Sequence, residues 1–238
     1  MQITLFVPCF VDSFAPRVAE SMVRVFERLG HDVRFAEAAV CCGQPAFNAG
    51  YWDEAQSVAE RTLRELASAE AVVVGSGSCA TMLKRFYPRL FAGTSGAEAA
   101  QDLAARSFEF AEFLVNELGV SELGARFPAK VTVHDGCHAL RELGLKRPMR
   151  ELLSHVKDLT LVEMGEAETC CGFGGTFSAK FSTISRAMGE QKLGSARETG
   201  ADYVVSCDSS CLLHLKSLGA RGGAALGSVH LAEVLASR

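Results

Sequence analysis

The sequence predicts an α/β protein built as two tandem, pseudo-twofold-related repeats, each with a small parallel sheet, and three observations lead there. Short apolar runs of strand length alternate with amphipathic stretches of helix length along all 238 residues, the pattern of βαβ-type units. A cysteine pattern occurs twice. Cys9, Cys41, Cys42 and Cys79 are followed by Cys137, Cys170, Cys171 and Cys211, which lie 128, 129, 129 and 132 positions later. The composition, 48% apolar and 22% charged, is that of a chain able to bury sizeable cores, and it excludes disorder.

In the first half, residues 3–7 form an apolar run that reads as a buried strand, with Cys9 just past its end. Residues 17–29 carry Val18, Met22, Val25, Phe26 and Leu29 at helical spacing, and Gly30 is placed to end that helix. Residues 33–36 read as a second strand that stops before Cys41-Cys42-Gly43-Gln44-Pro45. Residues 56–67 are helical and residues 71–74 (AVVV) form a third buried strand. The turn Gly75-Ser76-Gly77-Ser78 then opens a helix carrying Cys79. The second half repeats the order: strand 130–133, helix 148–155, strand 159–162, helix 182–199, and a last strand 203–206 before a helix near Ser209. Each half closes on an Ala-Glu-x-Leu helix, 111–114 and 232–235, and the repeat restarts around 119–128. Domains 1–125 and 126–238 are the expectation. Ligands of such sheets collect at the carboxyl ends of the strands, and each patterned cysteine falls in a loop after a strand or in the helix start that follows.

A formal charge of −4, from 24 basic and 28 acidic residues, argues against nucleic acid as the main partner. The stretch 84–89 (KRFYPR) reads as a solvated helix end. No apolar run approaches the roughly 18–20 residues needed to span a bilayer. The opening MQITLFVPCF lacks the basic start and cleavage site of a signal peptide. A cytoplasmic protein without a transmembrane segment is expected.

Nine cysteines, an odd number, in a chain with no export signal argue against a disulfide framework. Adjacent cysteines rarely pair with each other, but two neighbouring thiolates followed by glycine grip different edges of one inorganic centre. Glycine lets backbone amides approach it closely, and Gly43, Gly172, Gly174 and Gly175 stand at such positions. Soft thiolates select iron–sulfur clusters, zinc or Cu(I). Zinc sites usually draw on two tight C-x₂₋₄-C knuckles, whereas this chain has one loose candidate, Cys207-x₃-Cys211. The balance favours iron–sulfur and leaves zinc open.

The spacing Cys-x31-Cys-Cys-x36-Cys, duplicated, resembles the cysteine-rich CCG domain of the heterodisulfide reductases. The same domain occurs in the iron–sulfur subunits of glycolate oxidase and anaerobic glycerol-3-phosphate dehydrogenase. The stretches that carry the resemblance are VPCFVD, CCGQPAFNAGY, GSGSC, HDGCHALRELG, CCGFGGTFS and DSSCLLHL. A chain made of the two repeats alone is similar to the branch of that family that serves lactate utilization. The resemblance implies an iron–sulfur electron-transfer subunit of a complex oxidising L-lactate to pyruvate, with a ferredoxin-like subunit and a third protein as partners. It implies one or two clusters, of 4Fe-4S type, held by Cys9, Cys41, Cys42 and Cys79 and by Cys137, Cys170, Cys171 and Cys211. The family pattern ends in C-x-x-C, where this chain has Ser76 and Asp208. Cys207 stands as an uncertain fifth thiol of the second set.

Other readings compete. GSGSCA after the third strand matches the dinucleotide fingerprint only loosely, and its glycines read better as room for the backbone beside Cys79. His134 and His138 are placed either to hydrogen-bond cluster sulfur or to be satisfied by backbone at a strand end. Cys137 with His138 also fits an activated nucleophile. Asp208 suits a cap on its own helix. Phe173, Phe177, Tyr51 and Trp52 read as packing residues. A thiol–disulfide reductase and a zinc-stabilised scaffold remain as alternative functions.

Overall fold

The computed structural model describes residues 1–38, 41–220 and 226–238. The first repeat runs β1 (Gln2–Phe6), α1 (Cys9–Phe14), α2 (Pro16–Arg28), β2 (Asp32–Phe35), α3 (Gln44–Asn48), α4 (Trp52–Glu65), β3 (Ala71–Val74), α5 (Gly77–Thr81), α6 (Tyr87–Leu90), α7 (Ala97–Ala105), β4 (Ser107–Glu109) and α8 (Phe110–Glu112). The second runs β5 (Arg126–Val133), α9 (Cys137–Leu143), α10 (Arg147–Ser154), β6 (Lys157–Leu161), α11 (Thr176–Lys180), α12 (Ser182–Glu198), β7 (Tyr203–Ser206), α13 (Ser209–Gly219), β8 (Gly227–His230) and α14 (Leu231–Ala236).

The strands pair in parallel as β2-β1-β3-β4 and β6-β5-β7-β8, the same order twice. Sequence order reverses between β1 and β3, and between β5 and β7. In open parallel sheets that reversal is where ligands bind. Cys9 and Cys79 flank the first reversal; Cys137 and Cys211 flank the second. Every expected strand is present to within a few residues, with 71–74 and 203–206 as read.

Two expectations are corrected. Residues 203–206 are not the last strand, because β8 follows and β4 is its equivalent in the first repeat. Ser-Phe-Glu and Gly-Ser-Val-His are too short and polar to show a strand period; their extension comes from pairing with β3 and β7. The basic stretch 84–89 is only partly solvated. It lies in a π-helical turn, Met82–Phe86, running into α6, which buries Phe86 and Tyr87, while Lys84 pairs with Glu112.

The recurring Ala-Glu-x-Leu helices have a local cause. Glu109 accepts from the amides of Ala111 and Glu112, and Glu112 accepts from the amide of Glu109. His230 and Glu233 make the same reciprocal cap at α14. Each capped helix then crosses to the other repeat: α14 packs on α2, and α8 packs on α10. Arg28 of α2 fastens the first crossing by donating to the carbonyls of Leu123, Leu235 and Ala236. One apolar core results, running from Ile3, Leu5 and Val25 through Phe110 and Phe113 to Val131, Val133 and Val205. No helix among the described residues is long and apolar enough to cross a membrane.

Glu109 is fully buried with Oε1 unpartnered, and that burial pushes its carboxyl up to about 8. The folded chain therefore holds this proton where the unfolded chain, with an ordinary value of 4.5, does not. The resulting stability is full below pH 4.5 and is lost as pH rises through about 8. Glu109→Gln, which keeps the acceptor and replaces the O–H by an N–H, flattens this decline in thermal melts and leaves the variant above wild type in alkaline buffer.

Candidate metal centre

The two Cys-Cys-Gly loops are built alike. Gly43 has φ of 81° and Gly172 of 88°, a left-handed turn that L side chains rarely adopt. The turn brings the Gly43 amide 3.4 Å from Cys41 Sγ and the Gly172 amide 3.4 Å from Cys170 Sγ. The Phe173 amide donates to Cys171 Sγ at 3.5 Å. A methyl at position 172 would collide with the Ser185 carbonyl. In the first loop, Tyr87 Oη donates to the Cys42 carbonyl and Thr62 Oγ1 to the Cys41 carbonyl, while Gln44 Nε2 donates to the Ser78 carbonyl beside Cys79.

The thiols meet in matching pairs: Cys9 with Cys41 at 3.8 Å and Cys42 with Cys79 at 3.2 Å. In the second set Cys171 lies 3.0 Å from Cys211, and Cys137 hydrogen-bonds Cys170. Sulfurs sharing a tetrahedral metal at about 2.3 Å would stand roughly 3.8 Å apart; Cys9 and Cys41 have that separation, while the Cys42–Cys79 and Cys171–Cys211 pairs are closer and would open to admit a metal. All nine cysteines are free. Eight of them, together with Gly174, Gly175 and His138, line one cavity of about 170 Å³ between the repeats.

Charge settles unevenly within each set. Cys41, accepting from the thiols of Cys42 and Cys9 and from the Gly43 amide, is lowered to about 2. Cys170 is lowered to about 2 by Cys137, Cys171 and the Gly172 amide. Their donors Cys9, Cys42, Cys137 and Cys171 are pushed up, because losing the proton would break the bond and place a second charge beside the first. Cys211, accepting from the Cys171 thiol, falls to about 7. Each set is thus primed to bind a cation.

The second set has charged and imidazole side chains buried around it, where the buried polar neighbours described at the first are the neutral Tyr87, Thr62 and Gln44. His134 follows β5, is fully buried, and lies with one ring nitrogen and the sulfurs of Cys171 and Cys211 all within 4.8 Å of one another. Next to it, Asp135 receives both terminal nitrogens of Arg150 at 2.9 Å. Lys192, also fully buried, donates to the carbonyls of Glu166 and Ala167. Its amphipathic-helix context gave no sign of this. His138 stands 3.7 Å from Cys137 Sγ, because Cys137 opens α9 and the helical turn puts the two side chains together.

Three expectations change, two of them at the repeat interface. Asp208 precedes α13 but does not cap it with its side chain. Its carboxylate crosses to the first repeat, accepting from Ser76 Oγ at 2.8 Å and the Ser78 amide at 3.1 Å, and so caps α5 instead. The two positions that depart from C-x-x-C are therefore bonded to each other. Gly77, read as room for the backbone beside Cys79, lies against Ala139, Asp208 and the Cys207 sulfur, so it is the second repeat that approaches there. Cys207 does not line the shared cavity; it is buried with Ala139, Leu143 and Leu145. Tyr51 and Trp52 start α4 as read, yet both are more than half exposed, with Trp52 stacked on Phe47.

Fold and site define a two-repeat cysteine-rich α/β protein with its thiols at the carboxyl ends of two parallel sheets. The chain belongs to the CCG cysteine-rich domain family, which matches residues 3–84 and 131–216. Lactate utilization protein A 1 of Bacillus cereus (strain AH820) is 44% identical over 239 residues, covering 100% of both chains. Lactate utilization protein A of Bacillus thuringiensis (strain Al Hakam) is also 44% identical over the full length of both. The crystal structure of a hypothetical protein from Helicobacter pylori shares the fold, with a TM-score of 0.61 at 12% identity over 98% of this chain and 48% of that one.

Gly172→Ala is expected to destabilise the chain by more than the ~1–2 kcal/mol of ordinary left-handed strain. Gly144→Ala, at φ of 69° in open space, serves as the reference for that strain alone. Urea unfolding of both variants measures the excess. In a double-mutant cycle, Ser76→Ala and Asp208→Ala should couple by about 1–3 kcal/mol; additive effects would mean that the cross-repeat bond contributes nothing.

Proposed function

We propose that the chain carries iron–sulfur centres on its two cysteine sets and serves as an electron-transfer subunit in the oxidation of lactate to pyruvate. The observation that carries this reading is the paired arrangement of four soft donors per repeat around one hollow. Full-length similarity to proteins named for lactate utilization supplies the process. Cys9, Cys41, Cys42 and Cys79 would hold one centre; Cys137, Cys170, Cys171 and Cys211 would hold the other. When bound, such clusters supply reversible one-electron transfer, and lactate oxidation releases two electrons. The residues of this chain bind and tune. The Gly43, Gly172 and Phe173 amides donate to sulfur and stabilise negative charge, and buried Lys192 adds positive charge beside Cys171. Gly174, Gly175 and His138 line the hollow at its rim. The partners on this reading are a ferredoxin-like iron–sulfur subunit and a third protein of a cytoplasmic complex.

The thiol–disulfide alternative draws on a single observation, that both sets face the same cavity. Ser76 and Asp208, held by each other where further thiols would stand, weigh against it.

Anaerobic purification with iron, sulfide and zinc counted per chain, and EPR before and after dithionite, tests the reading. Roughly four iron and four sulfide per occupied set, with the second-set signal lost in Cys171→Ser, is the expected result. Zinc alone, unchanged after reconstitution with iron and sulfide, would overturn it in favour of a structural scaffold.

A further inference from the structure

The two cysteine sets coincide in their thiol pairs, their left-handed glycines and their amide-to-sulfur bonds. They differ at one buried position that faces the sulfurs. Strand register makes His134 the counterpart of Phe6, since Leu5 pairs with Val73 as Val133 pairs with Val205. Phe6 belongs to the buried apolar cluster of the first repeat that also holds Cys42 and Cys79. In the same niche of the second repeat an imidazole faces Cys171 and Cys211.

We propose that His134 is a metal ligand, so that the second set is a mixed imidazole–thiolate site and the first an all-thiolate one. His134 is 0% exposed, and neither ring nitrogen has a hydrogen-bond partner among the described residues. A buried nitrogen left unpaired costs about 1–3 kcal/mol, and a cation between the ring and the two thiolates removes that cost for the nitrogen that ligates. Tetrahedral bonds of about 2.3 Å to sulfur and 2.0–2.1 Å to nitrogen separate N from S by roughly 3.6 Å. Small side-chain movements close the present separation to that value. Asp208 does not compete for the place, because Ser76 and Ser78 already hold its carboxylate. The bidentate Asp135–Arg150 pair fixes the loop between His134 and Cys137.

The consequence rests on the iron–sulfur reading. Neutral imidazole taking the place of Cys137 or Cys170, the two thiols outside the His134–Cys171–Cys211 group, would leave the second centre less negative and easier to reduce. Clusters held on the two sets would then differ in potential, with the set bearing His134 the easier to reduce, an order that would direct electrons from the first set to the second.

The ligand assignment is tested with Co²⁺ alone, added anaerobically to the metal-free full-length chain. Wild type should show a mixed nitrogen–sulfur ligand field at one site and an all-sulfur field at the other. In His134→Phe both sites become all-sulfur and the ligand-field bands move to longer wavelength; Phe6→His should produce the converse. Phenylalanine already fills the equivalent niche, so His134→Phe is expected to fold, and circular dichroism checks this. Pulsed EPR of cobalt-loaded wild type carrying ¹⁵N-histidine needs no variant and should show a directly bonded nitrogen. Absence of that coupling, identical spectra for wild type and His134→Phe, or failure of the second set to bind cobalt would each overturn the assignment. None of these readings needs iron or sulfide, so they stand apart from a failure of the iron–sulfur function. In the iron-loaded chain, His134→Phe should lower the more positive of two midpoint potentials and leave the other unchanged.

Discussion

The shared apolar core between the two sheets is the constraint on which the rest depends. Each four-stranded sheet has its reversal point flanked by cysteines, but a sheet alone would present its thiols to solvent. The capped helices α8 and α14 cross to the opposite repeat, and Val131, Val133 and Val205 join Ile3, Leu5 and Val25 in one cluster. That packing turns the carboxyl ends of both sheets toward each other and encloses eight thiols in one hollow. Half-chains of this size bury a smaller fraction of their surface than the whole, so the exchange of helices serves stability and site construction together.

Gathering thiols in a confined space creates an electrostatic problem that the fold answers locally. One sulfur in each set, Cys41 or Cys170, takes the negative charge and is surrounded by donors from two neighbouring thiols and a backbone amide. The glycine turn is what aims that amide, and any side chain at position 172 would disturb it. A cation bound among the sulfurs would relieve the opposed proton affinities in every pair at once.

The internal symmetry is close enough that its breaks stand out as chemistry. Ser76 and Asp208 occupy equivalent positions yet bond to each other, converting two sites of departure from the family pattern into a clasp between α5 and α13. Phe6 and His134 occupy equivalent niches with different donors. Lys192 and the Asp135–Arg150 pair belong to the second repeat alone. A duplicated scaffold has in this way acquired two unequal halves: neutral buried neighbours, Phe6 and Tyr87 among them, behind one set of thiols, and an imidazole with charged side chains behind the other.

The sequence by itself determined the duplication, the parallel α/β class and the identity of the eight converging thiols. Strand period, helix period and cysteine spacing are local quantities, written into consecutive residues such as AVVV and CCG. It did not reveal β4 and β8, whose few polar residues become strands only by pairing with β3 and β7. It also assigned Asp208 to its own helix and did not name what approaches Gly77, because the neighbours of both lie in the other repeat, more than 60 positions away along the chain. The burial of Lys192 and the unpartnered state of His134 were invisible for the same reason. Which groups lose their water and which find a partner is decided when distant segments pack, and only the tertiary structure contains that information.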